Sequence, residues 1–204
     1  VEWRRVAELS LTVLADYVCP YCYLAESAVA RLRAEGLDVR TAPFELRPAG
    51  VPLPAPTAAW LQEAWRMKVA PLAEELGVVM RYPAITTRTR KAHEAVAFAR
   101  DAGLGTELHE ALYRAYWEDG RDIGRIDVLV EIGGGVGLDR GALRVALDID
   151  AWTEMVAAQL AWAAEQRIQA VPAYVLQRGP DAAGELRVGL QRYEQLKEWT
   201  GHDV

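Results

Sequence analysis

The sequence predicts an α/β fold in which a small mixed sheet is interrupted by a large all-helical insertion. Apolar residues near both ends of the chain alternate as they do in strands, whereas those between residues 57 and 167 recur at helical spacing. A proline-dense segment, residues 47–56, separates the two patterns because it cannot hold regular structure. With 204 residues, of which 51% are hydrophobic, the chain can bury one core together with an inserted subdomain.

The first part of the chain predicts a strand, a helix and a second strand. Residues 9–15 largely alternate apolar and polar side chains, which is typical of a strand. Apolar residues then recur at the spacing of one helix face: Ala25, Ala28, Val29 and Leu32. Gly36 is a natural end for this helix. Residues 39–46 predict the second strand, which Pro43 places near an edge or a bulge.

Residues 57–167 predict a series of helices that form the insertion. Glycines and a proline mark where these helices end or restart: Pro71, Gly77, Gly103 and the run 133–135. Residues that cap helix N-termini precede three of the segments: Thr106, Asp139 and Asp150. Four tryptophans fall on or beside the apolar stripes, which predicts that they pack in the core: Trp60, Trp65, Trp152 and Trp162.

The last part of the chain returns to strands. Residues 173–176 and 186–190 flank the turn Gly179-Pro180-Asp181 and predict a hairpin, and a closing helix follows over residues 192–199. We therefore predict two domains. Residues 1–56 and 168–204 form the domain that carries the sheet, and residues 57–167 form the helical insertion.

The only two cysteines of the chain, Cys19 and Cys22, lie at the start of the first predicted helix. Pro20 falls in the first turn, where its missing N–H costs nothing. The helix dipole favours negative charge at this end, so Cys19 should ionise readily and act as a nucleophile. Cys22, about one turn into the helix, should be less exposed. It can attack a mixed disulfide that Cys19 forms, which closes an internal disulfide.

Three other interpretations of the cysteine pair compete with a redox site. A structural disulfide is one, but so short a loop constrains the unfolded chain very little. A zinc half-site is another, but there is no second cysteine pair and the histidines show no ligand spacing: His93, His109 and His202. Chance adjacency is the third. The predicted strand before the pair and helix after it favour the redox interpretation, and we expect no metal.

Val171 and Pro172 directly precede the third predicted strand. A proline there removes a donor from the sheet and is tolerated when a cis peptide bond turns the chain. An ordinary trans proline at the end of a linker is the alternative. Beside a cysteine pair at a helix start, we expect the cis bond.

The chain resembles the thioredoxin superfamily over nearly its whole length, specifically the DsbA-like branch with a helical insertion and its FrnE-type subgroup. The segments that carry the resemblance are Asp16-Tyr17-Val18-Cys19-Pro20-Tyr21-Cys22-Tyr23, Phe44-Glu45-Leu46-Arg47-Pro48, Thr89-Arg90-Lys91-Ala92-His93, Leu112-Tyr113-Arg114-Ala115-Tyr116-Trp117, Val171-Pro172-Ala173-Tyr174 and Gly189-Leu190-Gln191.

The resemblance implies a thiol–disulfide oxidoreductase that oxidises, reduces or isomerises disulfides in proteins or peptides. Cys19 would be the nucleophile and Cys22 the resolving thiol, and Val171 and Pro172 would dock an extended substrate by backbone pairing. Pro20 and Tyr21 would line the substrate groove. The same fold also hosts 2-hydroxychromene-2-carboxylate isomerases and kappa-class transferases, so a glutathione-dependent isomerase or transferase of small aromatic compounds is the alternative.

The chain departs from the family pattern at several positions. Pro20-Tyr21 is the pair found in glutaredoxins, Ala170 stands where glycine is usual, and Arg88 stands where asparagine is frequent. Reduction potentials on this scaffold range from about −120 to −270 mV, so the direction of electron flow stays open.

Two acidic residues and a histidine near these motifs allow more than one role. Asp16 favours capping of a turn over tuning of Cys19, and Glu45 could accept a proton near the resolving thiol if it faces that side. His93 is expected to be a structural or solvent-exposed residue and not a base.

The composition limits which classes of partner and which cellular compartment we expect. The net charge of −6 and the absence of a basic patch argue against nucleic acid, and no apolar stretch is long enough to cross a membrane. Two cysteines in one motif fit a reducing compartment, and the N-terminal residues do not lead into a signal-peptide core, which favours the cytoplasm. We expect no bound cofactor. The expected partners are protein or peptide thiols and disulfides, and glutathione.

Overall fold

The computed structural model describes residues 9–179 and 182–202. Helices and strands follow in this order: β1 (Ser10–Ala15), α1 (Pro20–Ala34), β2 (Asp38–Pro43), α2 (Ala59–Ala64), a π-helical turn (Trp65–Val69), α3 (Ala70–Leu76), α4 (Arg90–Asp101), α5 (Gly105–Trp117), α6 (Ile126–Gly135), α7 (Arg140–Asp148), α8 (Thr153–Glu165), β3 (Ala173–Gln177), β4 (Glu185–Val188) and α9 (Tyr193–Thr200). This order confirms an α/β fold with a helical insertion.

The four strands form one mixed sheet in the order β2-β1-β3-β4. β1 runs parallel to β2 and antiparallel to β3, and β4 pairs antiparallel with β3. The predicted hairpin is confirmed, although two residues of its turn, Pro180 and Asp181, lie outside the described residues, as do residues 1–8. Pro43 ends the edge strand β2, which confirms its predicted place.

The central strand β1 is buried along its whole length. Its alternating sequence therefore does not produce an exposed face, and Ser10 and Thr12 are buried with their apolar neighbours. The core on one face of the sheet joins β1 and β3 to α1 and α9, and its buried members are Leu11, Val13, Ala28, Val29, Leu32, Leu37, Tyr174, Leu176 and Leu196. Each large side chain buried there contributes roughly 1.5–3 kcal/mol to folding.

The described chain divides into two compact units. One combines the ends of the chain, up to Phe44 and from Ala163, and the other is Glu45–Trp162. The helical unit includes the start of the proline-rich segment, because the Arg88 guanidinium donates hydrogen bonds to the carbonyls of Arg47 (2.9 Å) and Val51 (3.0 Å). The predicted division into residues 1–56 and 168–204 on one side and residues 57–167 on the other stays a prediction.

Several predicted helix ends in the insertion are confirmed. The π-helical turn directly precedes Pro71, which lies in the first turn of α3, so the helix restarts there. Gly77 closes α3 in the left-handed conformation (φ 66°). Asp139 caps α7, since its carboxylate accepts a hydrogen bond from the N–H of Ala142 at 2.7 Å.

Two predicted caps are wrong, and one predicted stop lies at the end of its glycine run. Thr106 lies inside α5, whose N-cap is Leu104. Asp150 lies three residues before the start of α8 and is therefore not its N-cap residue, and its carboxylate pairs with Lys91. The glycine run 133–135 does mark the end of α6, but the helix includes all three glycines and ends at Gly135 instead of Ile132.

The tryptophans differ in their surroundings. Trp60 is 57% exposed, so its predicted place in the core is wrong. Trp65 is half-buried and stacks on the buried Trp117, with ring centroids 6.0 Å apart and planes 7° apart. Trp152 is half-buried edge-to-face against Phe98, and Trp162 is half-buried as well.

No helix within the described ranges has the length and apolar character that a membrane crossing requires.

Candidate active site

The cysteine pair is built into the first turn of α1. Cys19 is the N-cap residue, with extended backbone angles (φ −87°, ψ 114°), and Pro20 is the first helical residue. The Cys19 carbonyl accepts hydrogen bonds from the N–H groups of Cys22 (3.1 Å) and Tyr23 (3.3 Å). The predicted placement of the pair at a helix start is confirmed. The helix dipole therefore directs its positive end toward Cys19.

Both cysteines are thiols, and both are buried: Cys19 is 3% exposed and Cys22 is 1% exposed. Burial raises the pKa of Cys22 well above its usual value, and a hydrogen bond with Cys19 raises that pKa further. Cys22 is therefore protonated at neutral pH. The expected contrast in exposure between the two residues is small, because Cys19 is also covered.

The loop before β3 covers the side chain of Cys19. The Val171–Pro172 peptide bond is cis, which confirms the prediction. The Cys19 Sγ donates a hydrogen bond to the carbonyl of Val171 at 3.5 Å. The Pro172 carbonyl accepts a hydrogen bond from the N–H of Gly189 (2.8 Å), which ties the loop to the end of β4. Cys19, Cys22, Val171 and Pro172 thus meet at one place.

Pro20 and Tyr21 are half-buried, as is Tyr23 on the other side of the pair. Their rings are therefore the part of the motif that solvent reaches. The predicted role of Pro20 and Tyr21 in lining a groove stays a prediction.

Asp16 forms the turn that leads into α1. It is completely buried, its carbonyl accepts a hydrogen bond from the N–H of Cys19 (3.0 Å), and its carboxylate faces the N–H of Val18 (3.5 Å). This geometry supports turn capping. The negative charge of Asp16 also adds to the effects that raise the pKa of Cys22, after burial and the contacts with Cys19.

The other two candidate residues lie in the helical unit. The Glu45 side chain is 5% exposed and forms an ion pair with Arg90. His93 is buried on α4 (8% exposed). Among the described residues, no group of three or more His, Cys, Asp or Glu side chains has an arrangement that could hold a metal ion.

Sequence reasoning gave Tyr174 no role at the site, although it placed the residue in the third strand and in the segment Val171-Pro172-Ala173-Tyr174. Burial raises the pKa of Tyr174, and the charge of Cys22 raises it further, with smaller contributions from Glu26 and Cys19. Tyr174 is completely buried in β3 and packs in the same core cluster as Ala28 and Val29 of α1. The signal in the sequence was its place two residues after Pro172, together with Glu26 four residues after Cys22 on the same helix face.

Comparisons with known proteins agree with this geometry. The model of the family described as "DSBA-like thioredoxin domain" matches residues 10–199. Among curated proteins, the uncharacterized protein YwbO of Bacillus subtilis (strain 168) is 31% identical over 182 residues, which cover 86% of this chain and 91% of YwbO.

Three solved structures share the fold. The probable DsbA oxidoreductase SCO1869 of Streptomyces coelicolor has a TM-score of 0.79 at 24% identity, over 96% of this chain and 92% of its own. A 2-hydroxychromene-2-carboxylate isomerase has a TM-score of 0.77 at 20% identity, over 94% of each chain. The cytosolic disulfide reductase DsbM of Pseudomonas aeruginosa has a TM-score of 0.65 at 22% identity, over 87% of this chain and 88% of its own.

Proposed function

Because the chain belongs to the DSBA-like thioredoxin domain family, we propose that it is a thiol–disulfide oxidoreductase that acts on protein or peptide substrates through Cys19 and Cys22. One observation carries the proposal. The Cys19 thiol lies at the N-terminus of α1, in contact with the Val171 carbonyl beside the cis peptide bond, and Cys22 follows one turn later. That arrangement supplies a nucleophile, a second thiol and a backbone group at one place.

The reaction requires two exchanges. In the reductive direction, the Cys19 thiolate attacks a substrate disulfide, a bond forms between Cys19 and one substrate sulfur, and the other substrate sulfur leaves and takes up a proton. Cys22 then loses its proton and attacks the Cys19 sulfur, and the second substrate thiol departs with a proton. The substrate disulfide has been reduced, and Cys19 and Cys22 have been oxidised to a disulfide. The oxidative direction is the reverse.

Substrate docking would use the loop before β3. An extended segment that lies along Val171 and Pro172 can pair with the backbone, as in strand addition to a sheet. The Cys19 Sγ must then leave the Val171 carbonyl, which frees both groups at once. Pro20 and Tyr21 would flank the segment, since both are partly open to solvent.

The two cysteines separate the steps, which makes the proposal testable. We expect Cys19→Ser to abolish the protein's acceleration of insulin reduction by dithiothreitol, because the attacking thiol is lost. We expect Cys22→Ser to accumulate mixed disulfides that are visible by mass spectrometry, because the resolving thiol is lost. Ser27→Ala, at an exposed position of α1, is the control and should behave as the parent protein. Full activity of Cys19→Ser would refute the proposal.

The alternative activity, a glutathione-dependent isomerase or transferase of small aromatic compounds, draws support from the fold shared with 2-hydroxychromene-2-carboxylate isomerase. A glutathione-dependent isomerisation or transfer needs one activating group, and none of its steps uses a resolving thiol such as Cys22. We therefore favour the oxidoreductase. Conversion of an aromatic substrate with glutathione that is undiminished in Cys22→Ser would reverse this preference.

The finer properties of the chain are part of the same proposal. A FrnE-type protein of the cytoplasm, without a bound cofactor, that exchanges disulfides with protein thiols and with glutathione fits the cysteine content and the acidic charge. The description of DsbM as a cytosolic disulfide reductase, also solved with GSH, supports glutathione as a partner. Equilibration of the pair with glutathione buffers measures the reduction potential and decides whether the protein oxidises or reduces its substrates.

A further inference from the structure

Two backbone carbonyls of the loop before β3 are held by donors of different strength. The Pro172 carbonyl accepts a hydrogen bond from the N–H of Gly189 at 2.8 Å, which is an ordinary backbone distance. The Val171 carbonyl accepts instead from the Cys19 Sγ, at 3.5 Å and in a buried position. A thiol is a weak donor. Of the two carbonyls, that of Val171 is therefore the one whose partner an incoming N–H group displaces more easily.

The donor of this contact exists in only one redox state of the pair. Both cysteines are free thiols in the structure, so Cys19 carries the proton that it donates to Val171. Once Cys19 and Cys22 form a disulfide, neither sulfur bears a hydrogen, and the hydrogen bond to Val171 is lost. Cys19 and Val171 are only 3% and 9% exposed, so water has little access to replace the thiol. A buried carbonyl that loses its donor raises the free energy of the disulfide state.

An extended peptide supplies the donor that the disulfide state lacks. A peptide that docks by backbone pairing brings an N–H group to the Val171 carbonyl. In the dithiol state this N–H must first displace the Cys19 thiol, which then loses its own acceptor. In the disulfide state there is no donor to displace, and the peptide satisfies a carbonyl that is otherwise without one. The free energy of docking should therefore differ between the two states.

We propose that the Cys19 thiol makes peptide docking depend on the redox state of the protein. The Val171 carbonyl is closed to an extended segment in the dithiol protein and open in the disulfide protein. This inference rests on the proposed oxidoreductase function and on docking of the substrate along Val171 and Pro172. The substrate class that follows is an extended polypeptide that still carries thiols, because only such a chain can be oxidised by the disulfide form.

The oxidation balances without a further reagent. A substrate thiol loses its proton and attacks the Cys19 sulfur, a bond forms between these sulfurs, and Cys22 leaves with the electron pair and takes up a proton. A second substrate thiol loses its proton and attacks the first substrate sulfur, and Cys19 leaves with the electron pair and takes up a proton. The substrate gains a disulfide, and the protein disulfide is reduced to two thiols.

The proton that Cys19 gains in the last step has a consequence for product release. The restored thiol can donate to the Val171 carbonyl again and displace the peptide from it. Docking and oxidation of the cysteine pair are coupled, and the coupling is reciprocal. A tenfold preference of the peptide for the disulfide form therefore lowers the reduction potential of the pair by about 30 mV at saturating peptide.

The first test compares the affinity of one peptide for four forms of the protein. The probe is a dye-labelled peptide of alternating valine and serine, which lacks cysteine and cannot exchange disulfides, and fluorescence anisotropy measures its binding. Cys19→Ser keeps a proton donor at this position in either redox environment, and Cys19→Ala does not. We expect the disulfide form and Cys19→Ala to bind about threefold to tenfold more tightly than the dithiol form and Cys19→Ser, which corresponds to one hydrogen bond.

The second test observes the carbonyl itself by nuclear magnetic resonance. Isotopic labels on the valine carbonyl carbon and the proline nitrogen select the two Val-Pro peptide bonds of the chain, Val51-Pro52 and Val171-Pro172. A carbonyl carbon resonance moves upfield when its hydrogen bond is lost. We expect the Val171 resonance to move upfield on oxidation and in Cys19→Ala. The Val51 carbonyl accepts from the Arg88 guanidinium at 3.0 Å, so its resonance should stay in place and is the internal control.

The outcomes separate this inference from the proposed function. Equal affinity of all four forms, or binding by none of them, overturns the inference even if insulin reduction still requires Cys19. A Val171 resonance that is unmoved on oxidation overturns it as well, because the thiol then does not hold the carbonyl. Acceleration of insulin reduction by Cys19→Ser at the rate of the parent protein would refute the proposed function itself.

Discussion

Cys22 shows most directly how its surroundings determine chemistry at the scale of one residue. The burial that raises its pKa comes from the core side of α1, and the hydrogen bond with Cys19 acts in the same direction. In the proposed reaction, a protonated Cys22 does not compete with Cys19 for substrate. The order of the two proposed exchanges is therefore set before the substrate arrives.

A first prediction concerns this protonation. In Cys19→Ser, Cys22 is the sole thiol of the chain and remains buried, so its thiolate should appear only at pH values above those at which a free cysteine ionises. The ultraviolet absorbance of the thiolate, followed by titration, measures this directly. Unfolded protein in guanidinium is the control and should titrate like a free cysteine. A thiolate signal in the folded protein at neutral pH would contradict the prediction.

At the scale of elements, the glycine run in α6 has a packing role. A Cβ on Gly133 would lie 2.5 Å from Cδ2 of Leu143, a fully buried residue of α7. The two helices therefore approach closely at this point. A Cβ on Gly135 would meet nothing within 4 Å.

These two glycines give a matched pair of variants. Gly133→Ala should destabilise the protein by about 1–3 kcal/mol, because the core must shift to admit the methyl group. Gly135→Ala should be neutral or stabilising by about 0.5–1 kcal/mol, because alanine favours the helical backbone. Urea unfolding curves measure both. Equal effects of the two substitutions would contradict close packing at Gly133.

A third prediction concerns the segment that precedes α2. The Arg88 guanidinium donates to three carbonyls of this segment, those of Arg47, Pro48 and Val51. Arg88→Lys should loosen the segment, because a single ammonium group cannot reproduce the planar fork. Limited proteolysis should then cut within residues 47–56 several-fold faster than in the parent. Arg66→Lys, which alters an exposed ion pair with Glu63, is the control and should leave the cleavage rate unchanged.

At the scale of the whole molecule, several carboxylates link elements distant in sequence. The Tyr193 hydroxyl donates to Glu35 and lowers the pKa of that carboxyl, which joins α9 to the end of α1. Lys91 does the same for Asp150, and Arg178 for Glu185. Each of these groups binds its proton less tightly in the folded chain than in the unfolded one.

The sign of the pH dependence follows from these lowered pKa values. The stabilisation is present above the pKa values of the unfolded chain and is lost as the pH falls through those of the folded chain. The melting temperature should therefore be nearly constant between about pH 5 and 7 and should fall below that range. Tyr193→Phe should weaken this acid dependence, because Glu35 then loses the hydroxyl that chiefly lowers its pKa. Calorimetry at several pH values measures the melting temperature of both proteins. An identical fall at acid pH in the parent protein and Tyr193→Phe would contradict a contribution of Glu35 to the acid dependence.

The sequence patterns predicted the sheet, the insertion and the cysteine helix because these depend on local signals. Asp139 and Asp150 look alike as caps, yet only Asp139 is an N-cap residue, whereas Asp150 lies three residues before α8 and pairs with Lys91 of a distant helix. The glycine run of α6 does mark the end of that helix, but the sequence did not show that Gly133 packs against Leu143 of α7. The sequence of the strand alone could not show that Tyr174 packs against α1, because that contact depends on which face of the helix meets the sheet. Non-local contacts thus account for what the sequence did not reveal.

The hydrogen bond from the Cys19 sulfur to Val171 has a consequence for damage by oxidants. Peroxide converts accessible thiolates first to sulfenic acid and then to irreversible acids. Here the sulfur is shielded from water and engaged with its own backbone until a peptide displaces that carbonyl. Under the proposed function, an idle molecule is thereby spared from inactivation, and its reactivity is reserved for partners large enough to open the loop.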